Sequence, residues 1–214
     1  MPHLAIEKCL SISRLSTYRN AVRTILGEDC LETAIELYEW NAQLSSQLLV
    51  PLHIYEVILR NAISEAISLR YGSNWPTNST FQNSLPYKQK ADLTSLLSNY
   101  QNPNKILPEL KLFWFENMLK SSQNSRLWTQ HIQTIFPNAT GVTPDVIRQQ
   151  LKDDCFIIRK IRNRIAHHEP IFNHPSLPNI LQKVENTISN RCIDTRNWLQ
   201  GIEGVKTLLG NPVL

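Results

Sequence analysis

Residues 143–170 read TPDVIRQQLKDDCFIIRKIRNRIAHHEP, and this stretch decides the fold class. Ile147, Leu151, Cys155, Ile158, Ile161 and Ile165 follow one another in steps of four, four, three, three and four. That is the spacing of one buried face of an α-helix, and no other apolar stripe in the chain is as regular. The helix start is marked by the Thr143 hydroxyl, by Pro144 at the first helical position and by Asp145 near the positive end of the dipole. Its end is marked by Pro170, which disfavours a helical Glu169 and places the last turn around His167 or His168.

Working outward, the same period recurs. A short helix is predicted from about Ser13 to Leu26, ended by Gly27. From Cys30 to Tyr71 apolar residues again fall mostly three and four apart, with Pro51 inside the run. Either two helices abut at Pro51 or one helix kinks there. The stretch Ser73–Ser84 is rich in turn residues, yet Trp75 and Phe81 are expected to pack down. Further helices are predicted over about Pro86–Tyr100, Leu107–Lys120, Arg126–Phe136, Leu177–Asn190 and Cys192–Leu209. No strand-period segment, internal repeat or glycine-rich phosphate loop interrupts the series. The chain is expected to be all-α, a helical bundle of about seven or eight helices. A single domain over residues 1–214 is expected, with its core at about 10–205 and flexible ends.

Composition agrees. Of 214 residues 42% are apolar and 19% charged, enough to fill a core and too apolar for disorder. Twenty-two basic against 18 acidic side chains give a formal net charge of +4, which suits an anionic partner without requiring one. Cys9, Cys30, Cys155 and Cys192 form no C-x-x-C pair, so zinc-ribbon and thioredoxin-like readings have no support. The first eight residues hold no apolar run of signal-peptide length, and no segment approaches the roughly 20 apolar residues of a membrane span. A cytoplasmic protein outside the membrane is expected, and the sequons at Asn78 and Asn138 then carry little weight.

The chemistry concentrates in Arg162-Asn163-Arg164-Ile165-Ala166-His167-His168-Glu169-Pro170. At about 100° per residue, Asn163 and His167 lie roughly 40° apart on one helix face, as do Arg159 and Asn163. Arg162 borders the apolar stripe and points about 140° away from His167. It is expected to be half-buried, with its guanidinium emerging at the rim. Arg162 and His167 therefore do not meet on one ideal helix unless it unwinds near His167. Histidine exchanges protons near neutral pH, and a cation beside it neutralises phosphoryl oxygens, which together is what phosphodiester cleavage needs. RNA brings its own nucleophile, the 2′-OH, so neither a metal nor a protein nucleophile is required.

Read as R-N-x-x-x-H, Arg162, Asn163 and His167 resemble the R-x(4–6)-H motif of the HEPN superfamily of all-α ribonucleases. The longer string from Ile161 to Phe172 resembles the Abi-like (abortive infection) branch of that superfamily. So do LSISRLSTY at Leu10–Tyr18, LYEWN at Leu37–Asn41, Glu56–Ile63 with its Arg60-Asn61 pair, and Lys111–Trp128 followed by Phe136-Pro137-Asn138-Ala139. The likeness runs from about residue 10 to 205. It implies a HEPN-like helical bundle and a metal-independent endoribonuclease acting as a toxin or phage-defence effector. It also implies a homodimer in which two motif copies face each other, held in check by a protein antitoxin or a regulatory RNA. By the resemblance, His167 is the general acid/base, Arg162 holds or polarises the scissile phosphate, and Asn163 orients the imidazole. No cofactor and no metal are implied.

Several plainer readings stand beside this one. His168 is an alternative base, and Asn163 is equally a brace for a helix end. Glu169 reads first as a salt-bridge partner of Arg164 or Arg162. Arg159, with Arg148, Lys152 and Lys160, either extends a phosphate-tracking face or is a solvated helix face interrupted by Asp153 and Asp154. Glu56 and Arg60, one turn apart, read as a structural ion pair or as residues orienting the site. His167, His168 and His174 suggest a metal only weakly, because adjacent histidines point apart and no fourth ligand is evident. The alternative function is a non-catalytic module of the same fold that binds RNA or a partner protein.

Overall fold

The computed structural model describes residues 2–214. Two helices, α1 (Pro2–Leu10) and α2 (Ile12–Leu26), lead into α3 (Leu31–Tyr71), a single helix of 41 residues around which the rest is arranged. At 1.5 Å per residue it is about 60 Å long. Its buried positions, among them Leu37, Leu44, Leu48, Leu52, Tyr55, Leu59, Ile63 and Ile67, keep the three-and-four spacing throughout. Pro51 lies inside this helix and is itself buried. Proline removes one helix hydrogen bond and disfavours a helix interior by about 3 kcal/mol, which packing along the rest of α3 offsets. The two readings left open at Pro51 resolve to one helical segment.

Short helices α4 (Ser79–Asn83), α5 (Tyr87–Thr94), α6 (Pro103–Ile106), α7 (Leu112–Met118) and α8 (Thr129–Ile135) follow, of which α7 and α8 pack on α3. Next comes α9 (Pro144–Ala166), then α10 (Ile180–Arg191), α11 (Ile193–Ile202) and α12 (Val205–Leu209). Among the described residues there is no strand, and the all-α expectation holds. The described residues form twelve α-helices: Pro2–Leu10, Ser79–Asn83 and Pro103–Ile106 lie outside the predicted stretches, and the predicted Cys192–Leu209 divides in two. The stretch from Leu107 becomes helical only at Leu112, after Pro108, and the one from Arg126 opens with a π-helical turn at Asn124–Trp128. Predicted Pro86–Tyr100 stops at Thr94, and Glu203-Gly204 divides α11 from α12. The first helix, Pro2–Leu10, was not predicted, and it buries no residue.

The stripe on α9 behaves as read. Ile147, Leu151, Cys155, Ile158, Ile161 and Ile165 are all buried against α3, α7, α8 and α10. Truncating Ile158 or Ile161 to alanine in such a core costs about 2–5 kcal/mol. Thr143 occupies the N-cap position, but its side chain makes no capping bond. Trp75 and Phe81 are fully buried, with the Trp75 indole N–H donating to Ser64 Oγ at 3.0 Å. Burial pushes the Cys155 thiol up to about 12 and the Tyr18 phenol to about 12 as well. No helix among the described residues is long and apolar enough to cross a membrane.

Candidate active-site groove

The helix α9 runs alongside α3, and the end of α9 is built by several distant segments. Its last turn closes with His167 as C-cap. The His168 N–H donates to the Ile165 carbonyl at 3.0 Å and the Glu169 N–H to the Arg164 carbonyl at 2.8 Å. This pair of bonds is a Schellman closure, which needs a left-handed residue just after the cap. That residue is His168, at φ 56°, where glycine is the usual occupant. Arg14 of α2 donates to the His168 carbonyl at 2.7 Å, and the buried Asn41 side chain of α3 accepts the N–H groups of Ile171 and Phe172 at 2.8 and 3.0 Å. Arg164 donates through Nε to the Pro170 carbonyl at 2.8 Å and stands 3.5 Å from Glu169. The backbone of the turn is therefore fixed from three sides. Arg14, Asn41 and the turn belong to three of the sequence segments that carried the resemblance, and the fold brings them together.

Before that turn, α9 presents its arginines to α3 and α7. Arg162 Nε lies 3.5 Å from a Glu56 carboxylate oxygen, and the other oxygen of Glu56 pairs with Arg60 one turn along α3. The Arg60 guanidinium is also over the Phe115 ring at 5.5 Å and donates to the Pro108 carbonyl at 3.3 Å. Arg159 pairs with Glu116 of α7 and lies over Phe113 at 5.0 Å. Glu56 thus pairs with Arg60 and stands within ion-pair distance of Arg162 at once. Of the Arg162 side chain, 43% is open to solvent. Its guanidinium reaches Glu56 at the rim of a groove.

Two adjoining cavities, about 920 and 360 Å³, share Glu56, Arg60, Pro108 and Arg162 and form one groove. In the smaller arm Arg60, Lys111, Arg159 and Arg162 face two carboxylates, Glu56 and Glu109, and Asn163 completes the wall. That excess of cations in a concave site favours an anionic chain. The larger arm holds His53, Asn61, Ser64 and Asn104.

The structure does not bring His167 into this groove. His167 is exposed, and its link to Asn163 is the backbone bond from the His167 N–H to the Asn163 carbonyl at 2.9 Å. Among the described residues no side-chain bond joins Asn163 to the imidazole. His168 and Glu169 lie on the other side of the turn, beside a cleft of about 280 Å³ that Tyr18, Tyr38 and Ser45 also line. His174 is held neutral more strongly than an ordinary imidazole, first by burial and then by Arg164. Its Nδ1 accepts the Ser176 N–H at 3.2 Å. Among the described residues no three His, Cys, Asp or Glu side chains are grouped as a metal ion would need.

Sequence reasoning missed His53, which shares a groove with Arg162, and Glu116, which fixes Arg159. His53 precedes Glu56 by three positions on the same helix, so a helical wheel of α3 places it beside that carboxylate. Glu116 gave no comparable signal, because its pairing depends on how α7 docks.

The fold and site define an all-helical protein whose α3 and α9 enclose an arginine-lined groove ending near a histidine turn. The family model described as Abi-like protein matches residues 8–173, most of the chain. The protein belongs to this Abi-like family, which suggests a role in abortive infection. Comparison with curated proteins and with solved structures found no match in either case.

Proposed function

We propose that the protein is a metal-independent endoribonuclease of the HEPN type, a toxin or phage-defence effector in the cytoplasm. The observation that carries this reading is Arg162, presented in an open groove beside two further guanidiniums at the end of a rigid helix. A scissile phosphate seated there exchanges Glu56 for phosphoryl oxygens as the partner of Arg162. A base then takes the 2′-OH proton, O2′ attacks phosphorus, and the departing O5′ receives a proton from an acid. The products are a 2′,3′-cyclic phosphate and a 5′-OH, and Arg162 with Arg60 stabilises the charge that builds on the phosphoryl oxygens.

The imidazole comes from a second copy. An apolar strip of Leu49, Val50, Ile54, Trp198 and Ile202 flanks the groove, and a homodimer seated on it gives this exposed surface a partner. Each groove then pairs Arg162 of one chain with the histidine turn of the other, with His167 as acid/base. A protein antitoxin or regulatory RNA covering the same groove would hold the activity in check. One observation favours a second arrangement: within a single chain the imidazole that shares the groove with Arg162 is His53.

Purified protein with RNA in excess EDTA tests the activity. Cleavage lost in Arg162→Ala supports the reading, and RNA binding without any cleavage supports a non-catalytic module instead. Assaying Arg162→Ala and His167→Ala chains singly and mixed separates the two arrangements. A site shared between copies regains about a quarter of wild-type activity, because half of randomly paired dimers hold one intact site of two. A site of Arg162 and His53 within one chain instead leaves His167→Ala active before any mixing and makes His53→Ala inactive by itself.

A further inference from the structure

We propose that Phe113 and Phe156 form a base-stacking platform for single-stranded RNA beside the groove, a binding site that extends the nuclease reading and rests on it for the identity of the ligand. Both rings are unusually open: Phe113 is 47% and Phe156 46% exposed. They belong to different helices, α7 and α9, and flank one guanidinium, with Arg159 5.0 Å from the Phe113 centroid and 5.7 Å from that of Phe156. Glu116 holds Arg159 in that position by binding its Nε. Lys160 lies 5.5 Å from the Phe156 centroid. Two exposed rings fixed around one guanidinium, with Lys160 over the second ring, have the makeup of a surface that stacks bases and tracks phosphates.

Position gives the platform its direction. Phe113, Arg159 and Asn163 line the smaller arm of the groove together with Arg162 and Lys111. Phe156, Lys160, Asn163 and His167 follow in steps of four, three and four, so they share one face of α9 over about 16 Å. On a helix whose opposite face is the apolar stripe, Phe156 is the large apolar residue standing in the middle of the polar face. A strand with a phosphate at Arg162 passes Asn163 and meets these rings next. Of the acidic side chains nearby, Glu116 is engaged with Arg159, and Asp153 with Lys152 at 3.9 Å and with Gln149, while the exposed Glu109 stands among four cations of the smaller arm. The surface left to an incoming strand is aromatic with an excess of cations. Stacking of this kind tolerates any base, so the platform adds affinity for unpaired RNA without fixing its sequence.

The test uses a single-stranded 2′-O-methyl RNA carrying one 2-aminopurine, which has no 2′-OH and cannot be cut by this chemistry. Binding is read by anisotropy and stacking by quenching of the 2-aminopurine. Phe156→Ala and Phe113→Ala should each weaken binding about tenfold and relieve quenching, while Phe156→Trp retains both. Phe156→Leu keeps the apolar contact but lacks the ring, so it should behave as the alanine variant. The dependence of affinity on salt should stay the same in the phenylalanine variants and become shallower in Lys160→Ala. Equal affinity and quenching in wild type, Phe156→Ala and Phe156→Leu overturn the platform, as does a wild-type protein that binds no single strand. A Phe156→Ala variant that sediments as a monomer where wild type is a dimer also overturns it, assigning the face to contact between copies. Quenching that depends on Phe156, in a protein that leaves unmodified RNA intact, keeps the platform and removes the nuclease reading.

Discussion

Replacing Glu56 with glutamine removes the one charge that Arg60 and Arg162 share, and its effects on stability and on RNA binding are expected to have opposite signs. Arg60 and Glu56 are mostly buried, 15% and 13% exposed, and the groups are in hydrogen-bond contact. A hydrogen bond between charged groups contributes about 1.5–3 kcal/mol, of which the glutamine amide oxygen retains roughly half. Arg162 is well exposed and 3.5 Å away, so its pair adds less than about 0.5 kcal/mol. Glu56→Gln should therefore cost about 1–2 kcal/mol. At a denaturant slope of about 2–3 kcal/mol/M the urea midpoint falls by roughly 0.3–1 M with the slope unchanged. In double-mutant cycles, coupling of Glu56 to Arg60 should be about 1–2 kcal/mol and coupling to Arg162 below about 0.5.

The same substitution frees Arg162 from its carboxylate. Binding of an uncleavable single-stranded RNA should tighten, and its logarithmic salt slope should steepen by about 0.7 as one more cation meets a phosphate. Weaker binding in Glu56→Gln, or stronger coupling to Arg162 than to Arg60, would refute the idea that Glu56 mainly braces Arg60 and only lightly occupies Arg162.

Three further expectations follow from the geometry. His168→Gly relieves the left-handed strain at φ 56° and, after the extra freedom glycine gives the unfolded chain, should raise stability by about 0.5–1 kcal/mol in the same urea assay. Asp154 is 1% exposed and paired with Lys183 at 2.6 Å, so Lys183→Met leaves a buried carboxylate with only Gln150 and should cost about 2–3 kcal/mol, at the low end for a buried pair because Lys183 reaches solvent. His174 has a folded pKa depressed below 6.5, so the unfolded chain binds its proton first. Its contribution is complete above pH 6.5 and is lost as pH falls toward the depressed folded value, and His174→Asn, which keeps an acceptor for the Ser176 N–H, should flatten that part of the stability profile.

Much of this was legible because helices write their burial into local spacing. The α9 stripe, the closure of α2 at Gly27 and the descent of Trp75 and Phe81 into the core all depend on residues within a turn or two of one another. Where reading failed, the deciding interaction lay elsewhere in the chain. Pro51 in isolation breaks a helix, and only packing along α3 keeps that helix whole. Arg162 was legible as a guanidinium emerging at a rim, but its approach to Glu56 depends on how α3 lies against α9. Phe156 did leave a local signal, a large apolar residue on a polar face. Its pairing with Phe113 around Arg159 needed the docking of α7.

The separation of Arg162 from His167 shows how far local geometry can decide a mechanism. An unwound end could have swung the imidazole toward Arg162, and Pro170 made such unwinding a reasonable expectation. The helix does end there, but the left-handed residue is His168, one position too late. His167 keeps φ −95° and ψ 10°, and its N–H still closes onto Asn163, so its side chain leaves the helix nearly where an uninterrupted helix would put it. Arg14, Asn41 and Arg164 then lock the backbone beyond, which opposes a later swing. Closing the distance within one chain would require breaking that set of bonds. Docking a second chain requires none of them to break, and His53 already lies in the groove. The rigidity of the turn therefore weighs against a His167–Arg162 site in one chain and leaves two arrangements, told apart by whether His167→Ala is inactive alone and revived by Arg162→Ala.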